Sequence, residues 1–461
     1  MIYFIFFYLL ATIAVGIYAS KKVKNTKDFI LAGRSLPLSI STAALFATWF
    51  GSETILGASS RMATEGLQGV IQEPFGAALC LFILGAFFAS PLYKMNILTF
   101  GDFYRIRYGR IMEVLAGICL VLSYLGWIAA QMVAMGIILH TVTGLEIQLG
   151  ILFSASIVVF YTYLGGMWSV SLTDFIQTIM IVIGLSACLI EMNSKIRIST
   201  IFQLTPKSFF HFFPESGIVP SLNYLAAWMV LGLGSIPQQD LFQRVMSAKS
   251  ERTAVLSSYL ASFLYLTIAM IPLILSLYGR YFIPDVLNQD PQMLIPRLVK
   301  GFTSPFVQLC FFGAMTSAIL STASGAILAP SSILSENLFK YIIPKNQWGE
   351  KKLLALSRFS VILTTVIGLA IALGNKDIFA LVEESSAISL VSLFIPLVFG
   401  LFSAHCKQIH AIASLLLGTV TWILAEYLQT DVNPILYGLV ASLIPIGIAF
   451  LFLRDPVEPT K

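Results

Sequence analysis

Charge is what this chain has least of. Only 11% of its 461 residues are Asp, Glu, Lys or Arg, against roughly 25% in an ordinary soluble domain. A large soluble core would need charged surfaces around it, and the residues to build them are missing. Histidine is scarce too, with four scattered copies, and the five cysteines Cys80, Cys119, Cys188, Cys310 and Cys406 have no zinc-type spacing. The thiols therefore read as structural, and no metal centre is indicated. No nucleotide loop, metal signature or nucleophile–base pair supports an enzyme or an organic cofactor.

What remains is apolar. Hydrophobic residues make up 57% of the chain, and mean hydropathy is +0.86. Runs of about 20 apolar residues, long enough to cross a bilayer, recur from end to end. The sequence predicts an all-α polytopic protein of a cell membrane, plasma or bacterial inner. Thirteen spans fit, near 2–20, 37–60, 68–91, 112–139, 147–164, 171–191, 220–242, 254–279, 303–337, 353–373, 378–402, 408–426 and 433–453. Gly165-Gly166 and Gly374-Asn375-Lys376-Asp377 are turn signals between spans.

Lys and Arg set the orientation. With the amino terminus outside, Lys21, Lys22, Lys24, Lys27, Arg105, Arg107, Arg110 and Lys351 fall in inner loops, and the inward excess is roughly two to one. The net charge of +5 is thus a topology signal, and no nucleic-acid partner is expected. Lys21 and Lys22 follow the first apolar run instead of preceding it, which predicts a retained span and not a cleaved signal peptide.

Polar residues inside the spans narrow the function, because they are costly there and usually face an interior. In Gly313–Leu328, Ser317, Ser321 and Ser324 recur at i, i+4 and i+7 and share one helix face. An oxygen-rich, uncharged face suits a bare alkali cation; for Thr316 and Ser317, a bond back to the i−4 carbonyl fits equally well. Glu53, Glu73, Asp174, Asp240, Glu383 and Glu384 are intramembrane carboxylates, with Asp240, Glu383 and Glu384 the most readily explained as helix-end groups reaching the interface. Two spans look interrupted, at Ala47–Glu53 and at Gly232–Gln239. Broken helices expose carbonyls that can hold cations; a simple kink repaired by neighbouring helices is the alternative.

These residues resemble the sodium:solute symporter family. The resemblance covers about residues 30–400 and rests on Ala32–Leu36, Tyr161–Gly166 with Val170–Asp174, Gln243-Arg244 with Ser247–Ser250, and Ser317–Thr322. Within the family the chain looks nearest to the high-affinity choline carriers, through Thr48-Trp49, Gly126-Trp127 and Ile236–Arg244. The resemblance implies a five-plus-five inverted repeat: a first span and basic inner loop (1–36), repeat one (37–191), repeat two (220–402), then two peripheral spans and a short cytoplasmic tail (403–461). It implies sodium as the coupling ion, held by the carbonyls of Ala47, Phe50 and Ala318 and the hydroxyls of Ser321 and Thr322. A second sodium would use Asp174, Ser321 and Ser324, but Gly325 stands where some two-sodium members carry serine. Asp174 then either ligates that ion or stabilises the helix and the inner gate.

The implied function is sodium-coupled import of a small organic solute by alternating access, within the membrane lipid; oligomeric state is not legible. Trp49, Glu53, Glu73, Trp127, Gln238 and Gln239 are the candidate substrate-binding residues. The indoles suit a choline-like cation; the carboxylates and Gln238 suit an amino acid, amine or polyol. A proton-coupled carrier titrating on Glu53, Glu73 or Asp174 and a non-transporting membrane sensor are the alternatives, and a short tail after Arg454 argues against the sensor.

Overall fold

The computed structural model describes residues 10–11, 14–342, 349–374, 377–403 and 405–452, and its elements are helical. Much of the first expected span, the Asn375-Lys376 turn, Lys345 and the tail beyond 452 lie outside the described residues. The principal helices are α1 (Leu38–Trp49), α2 (Ala58–Glu65), α3 (Arg110–Thr143), α4 (Ile147–Lys195), α5 (Ile218–Gly234), α6 (Gln239–Ser247), α7 (Glu251–Phe282), α8 (Pro305–Ile333), α9 (Glu350–Gly374), α10 (Ile378–Ser389), α11 (Gln408–Tyr427) and α12 (Pro434–Phe452). They follow the apolar runs because a segment in hydrocarbon must satisfy its backbone N–H and C=O groups internally. Among the described residues, eight helices are long and apolar enough to cross a membrane, or nine if α5 and α6 form one bent span. Large apolar side chains such as Phe87, Ile183, Phe263 and Ile409 stay exposed on the outer faces, as lipid contact requires.

The breaks decide the architecture. α1 stops at Trp49, and a π-helical turn over Glu53–Gly57 leads into α2. Gly51 lies in the gap, where a Cβ would come within 2.6 Å of Thr322 Oγ1, 2.8 Å of Glu53 Oε2 and 2.9 Å of Gln131 Oε1. Gly51→Ala is therefore expected to lose about 1–3 kcal/mol through overpacking and most of the uptake, read by thermal unfolding and flux on the same preparation. α5 and α6 are bent by 46° across Ser235–Gln238. The ranges expected as 147–164 and 171–191 form one element, α4, which turns at Gly166 (φ 48°, ψ −142°); glycine alone adopts that conformation without strain.

One interruption has no counterpart in the sequence reading, which took 68–91 as a plain span. Glu73 is extended (φ −139°, ψ 109°) within Ile71–Gly76, and the Glu73–Pro74 peptide is cis. The long segment expected at 303–337 is a continuous helix, α8, ending in a π-helical turn over Leu334–Leu338. α8 packs on α4 and α3 and touches α1, while α1 lies between α7 and α4. Phe46, Phe50 and Tyr265 cluster at the end of α1, with Phe46 and Phe50 rings 4.8 Å apart.

Candidate functional site

The broken spans and α3 and α10 enclose a cavity lined by Trp49, Glu53, Glu73, Trp127, Leu231, Ser235, Gln238, Val382, Ser385 and Ser386. The free volume within it is about 10 Å³, so its walls lie close together and a solute can enter only if they part. Five of the six candidate substrate residues line it. Gln239 does not: it faces the other side of the α6 start, where its Oε1 accepts from Phe100 N at 2.8 Å. Adjacent residues at a helix start point in different directions, and this sends Gln238 inward and Gln239 away.

The two carboxylates are held differently. Glu53 accepts from Trp127 Nε1 (3.1 Å), Gln131 Nε2 (2.8 Å) and Ser52 Oγ (3.4 Å). Gln131 also accepts from Ser52 N at 3.1 Å, so one amide fixes both the carboxylate and the open end of the broken span. Glu73 takes both its bonds on Oε1, from Thr54 Oγ1 (2.8 Å) and from the Tyr265 hydroxyl, which leaves Oε2 for a ligand. The extended backbone at Glu73 brings it to the cavity. Trp49 turns its indole N–H onto Asp240 Oδ2 at 3.0 Å. Tyr124 donates to the same carboxylate, accepts from Asp240 N (2.8 Å) and stacks near Trp127 at 5.9 Å. Both indole N–H groups are therefore committed, and the ring faces are what the cavity has left.

Asp240 corrects the sequence reading. It is fully buried and does not reach an interface, because the break before α6 turns its first helical residues into the protein. Glu383 is half-buried and Glu384 exposed, beside Glu426 and Trp422 at the rim of a separate groove.

A second constellation joins α1 to α8. In a continuous helix Gly51 N would bond Ala47 O; at the break it bonds Trp49 O instead, at 2.8 Å. Ala47 O is thereby released, and it accepts from Ser321 Oγ at 3.0 Å and Thr322 Oγ1 at 3.2 Å. Ser321 Oγ also lies in hydrogen-bond contact with Asp174 Oδ1 on α4. Phe50 is in the break, and Ala318 stands one turn before Thr322, both buried. Ser324 donates to Ser321 O (2.8 Å), and Ser317 donates to Gly313 O (2.7 Å) as back-bonding predicts. Thr316 makes no such bond: Thr316 Oγ1 has no hydrogen-bond partner among the described residues.

Several lining and supporting residues escaped the sequence reading. Ser385, Ser386, Ser235 and Gln131 carried a signal, being polar within apolar spans. Tyr265 and Tyr124 carried none, since each is an amphipathic side chain that packs as well as it bonds. All five cysteines are free thiols, and no group of three or more His, Cys, Asp or Glu among the described residues is placed to hold a metal ion.

Comparison with known proteins fixes the class. The chain is 29% identical over 424 residues to high-affinity choline transporter 1 of Drosophila melanogaster, covering 89% of this chain and 68% of that protein. It is 24% identical over 484 residues to sodium/proline symporter 2 of Staphylococcus saprophyticus, covering 98% and 93%. The solved structure of a substrate-bound, outward-open Na⁺-coupled sialic acid symporter has the same fold, with a TM-score of 0.83 at 19% identity over 99% of this chain and 98% of that one. A family model matches residues 29–418. This chain, a multi-pass membrane transporter and not an enzyme, belongs to the sodium:solute symporter family.

Proposed function

We propose that this protein couples sodium entry to import of a small organic cation of the choline type. The observation that carries the substrate class is the pair Glu53 and Glu73, two buried carboxylates on a cavity with two indole walls and no Lys or Arg in its lining. Buried charge of one sign calls for a partner of the other. A quaternary ammonium supplies it while resting its methyl groups on the faces of Trp49 and Trp127. A polyol would leave the carboxylates uncompensated. The choline transporter relatives support this reading, and Gln238 is the feature that departs from a fully aromatic cage.

Sodium, as co-substrate, is assigned to the carbonyls of Ala47, Phe50 and Ala318 and the hydroxyls of Ser321 and Thr322. Ligands that are all neutral oxygens suit a monovalent cation that must later leave, and disfavour zinc and copper. Both hydroxyls lie within hydrogen-bond distance of one carbonyl, Ala47 O; turned toward an ion, all three present lone pairs to it. Sodium would then tie α1 to α8, and loss of that tie would free them to separate as the cavity opens inward. Only differential affinity for the two states can drive such a shift. At a membrane potential of 100 mV, one inward charge adds about 2.3 kcal/mol. The assembly behind this cycle is thirteen spans, with inverted repeats over 37–191 and 220–402 and the amino terminus outside.

The test is uptake into proteoliposomes with an imposed sodium gradient, across choline, betaine, amino acids and sugars. Sodium-driven accumulation of choline or a near analogue is expected. Uptake that follows a pH gradient with sodium absent would assign the coupling to protons instead, and binding without accumulation would make the protein a sensor. Gln238→Trp should add an aromatic face and raise choline affinity by about threefold to tenfold, the scale of one cation–π contact, read from competition against labelled substrate.

A further inference from the structure

Arg244 belongs to neither constellation just described, but it faces Asp174, the carboxylate beside Ser321. Both side chains are fully buried, and Arg244 Nη2 is 3.8 Å from Asp174 Oδ2. The guanidinium packs directly against α8 at Gly325, where the helix carries no side chain. A Cβ built on Gly325 would lie 2.5 Å from Arg244 Nη2, 3.3 Å from Cζ and 3.4 Å from Nη1, so the guanidinium fills the volume that any side chain at 325 would need. The three nitrogens of Arg244 make no hydrogen bond among the described residues. Its tie to Asp174 is therefore one of charge.

We propose that the Arg244 guanidinium is a built-in replacement for a second coupling cation: it neutralises Asp174 beside Gly325, and the carrier binds one sodium per cycle. Rested on the sodium-coupled reading above, this explains why the second-site residues do not form a cation cradle. Asp174 Oδ1 is engaged by Ser321, Asp174 Oδ2 faces the guanidinium, and the Ser324 hydroxyl donates back to Ser321 O at 2.8 Å. A mobile sodium ion would have to settle beside a fixed positive charge where screening is weak. The guanidinium is covalently part of the chain, so the compensation is permanent, whereas a bound ion leaves in every cycle. Asp174 then becomes a positioning residue: a charge-balanced carboxylate can take the Ser321 hydroxyl proton in a hydrogen bond, turning the oxygen lone pairs of Ser321 toward the first sodium.

The experiment counts ions without requiring transport. Purified full-length protein is titrated with sodium-22 to saturation, and bound sodium is divided by protein. One sodium per chain is expected, with a Hill coefficient of 1. Asp174→Asn should leave the count at one while raising the half-saturating sodium concentration several-fold. Arg244→Gln should leave Asp174 uncompensated and move the count toward two, and Arg244→Lys should restore one. Should Arg244→Gln not fold, Gly325→Ser, which must push the guanidinium aside, is expected to move the count the same way. Two sodium ions in the unmodified protein, falling to one in Asp174→Asn, would overturn the proposal and leave symport standing. A count of zero would instead remove the sodium-coupled reading itself, and this inference with it.

Discussion

Ser321→Ala combined with Thr322→Ala is expected to abolish sodium-driven uptake across the accessible range of sodium concentrations. Each hydroxyl meets Ala47 O across the α1 break, and each is assigned as one ligand of the first sodium. A contact to a charged species is worth about 1.5–3 kcal/mol, roughly tenfold to a hundredfold in half-saturating sodium for each single variant. The double variant should shift it by about a thousandfold, if the two losses add. The helix itself should survive, because alanine is the best helix former and α8 keeps its backbone bonds. The check is sodium activation of uptake beside substrate binding at saturating sodium: the first should collapse before the second. Unchanged sodium activation in both single variants would show that the ion sits elsewhere.

Glu73→Gln should weaken binding of a choline-like cation by about tenfold to a hundredfold, the scale of one charge-assisted contact, with sodium activation unaltered. Glu73 is the cleaner of the two carboxylates to neutralise. A glutamine carbonyl oxygen can still accept from Thr54 and Tyr265, which donate to the one oxygen Oε1. Glu53 is surrounded by the donors of Trp127, Gln131 and Ser52, so a glutamine amide there would set donor against donor and disturb the broken span. Binding by competition, with choline against an uncharged isostere such as 3,3-dimethylbutanol, separates charge from shape. Equal losses for both would mean that Glu73 shapes the cavity and does not meet a cation.

The parts of the site that were legible share a local signature. Ser321 and Thr322 stood out as hydroxyls on an apolar helix, Gly51 and Pro237 as breakers within spans, and Glu53 and Glu73 as carboxylates where carboxylates are costly. The break at Glu73 was not legible, because Pro74 within a membrane helix is as compatible with a repaired kink as with an extended residue. Gln239 was misplaced for a related reason. Which of two neighbouring glutamines faces a cavity depends on the bend between α5 and α6, and no local pattern states that angle.

The amino-acid sequence by itself determined that this is a helical membrane protein, which stretches of it are apolar enough to be helices in a bilayer, and that Glu53, Glu73, Ser321 and Thr322 are polar residues within them. Those properties follow from the cost of exposing peptide groups and charges to hydrocarbon, and that cost is paid residue by residue. Tertiary structure alone decided who meets whom. Trp49 with Asp240, Glu73 with Tyr265 and Arg244 with Gly325 are separated by long stretches of chain, and such pairings arise from helix crossing and rotation. Gly325 shows the difference most simply. In the sequence it is a serine that is missing, and in the structure it is the space an arginine needs to balance an aspartate.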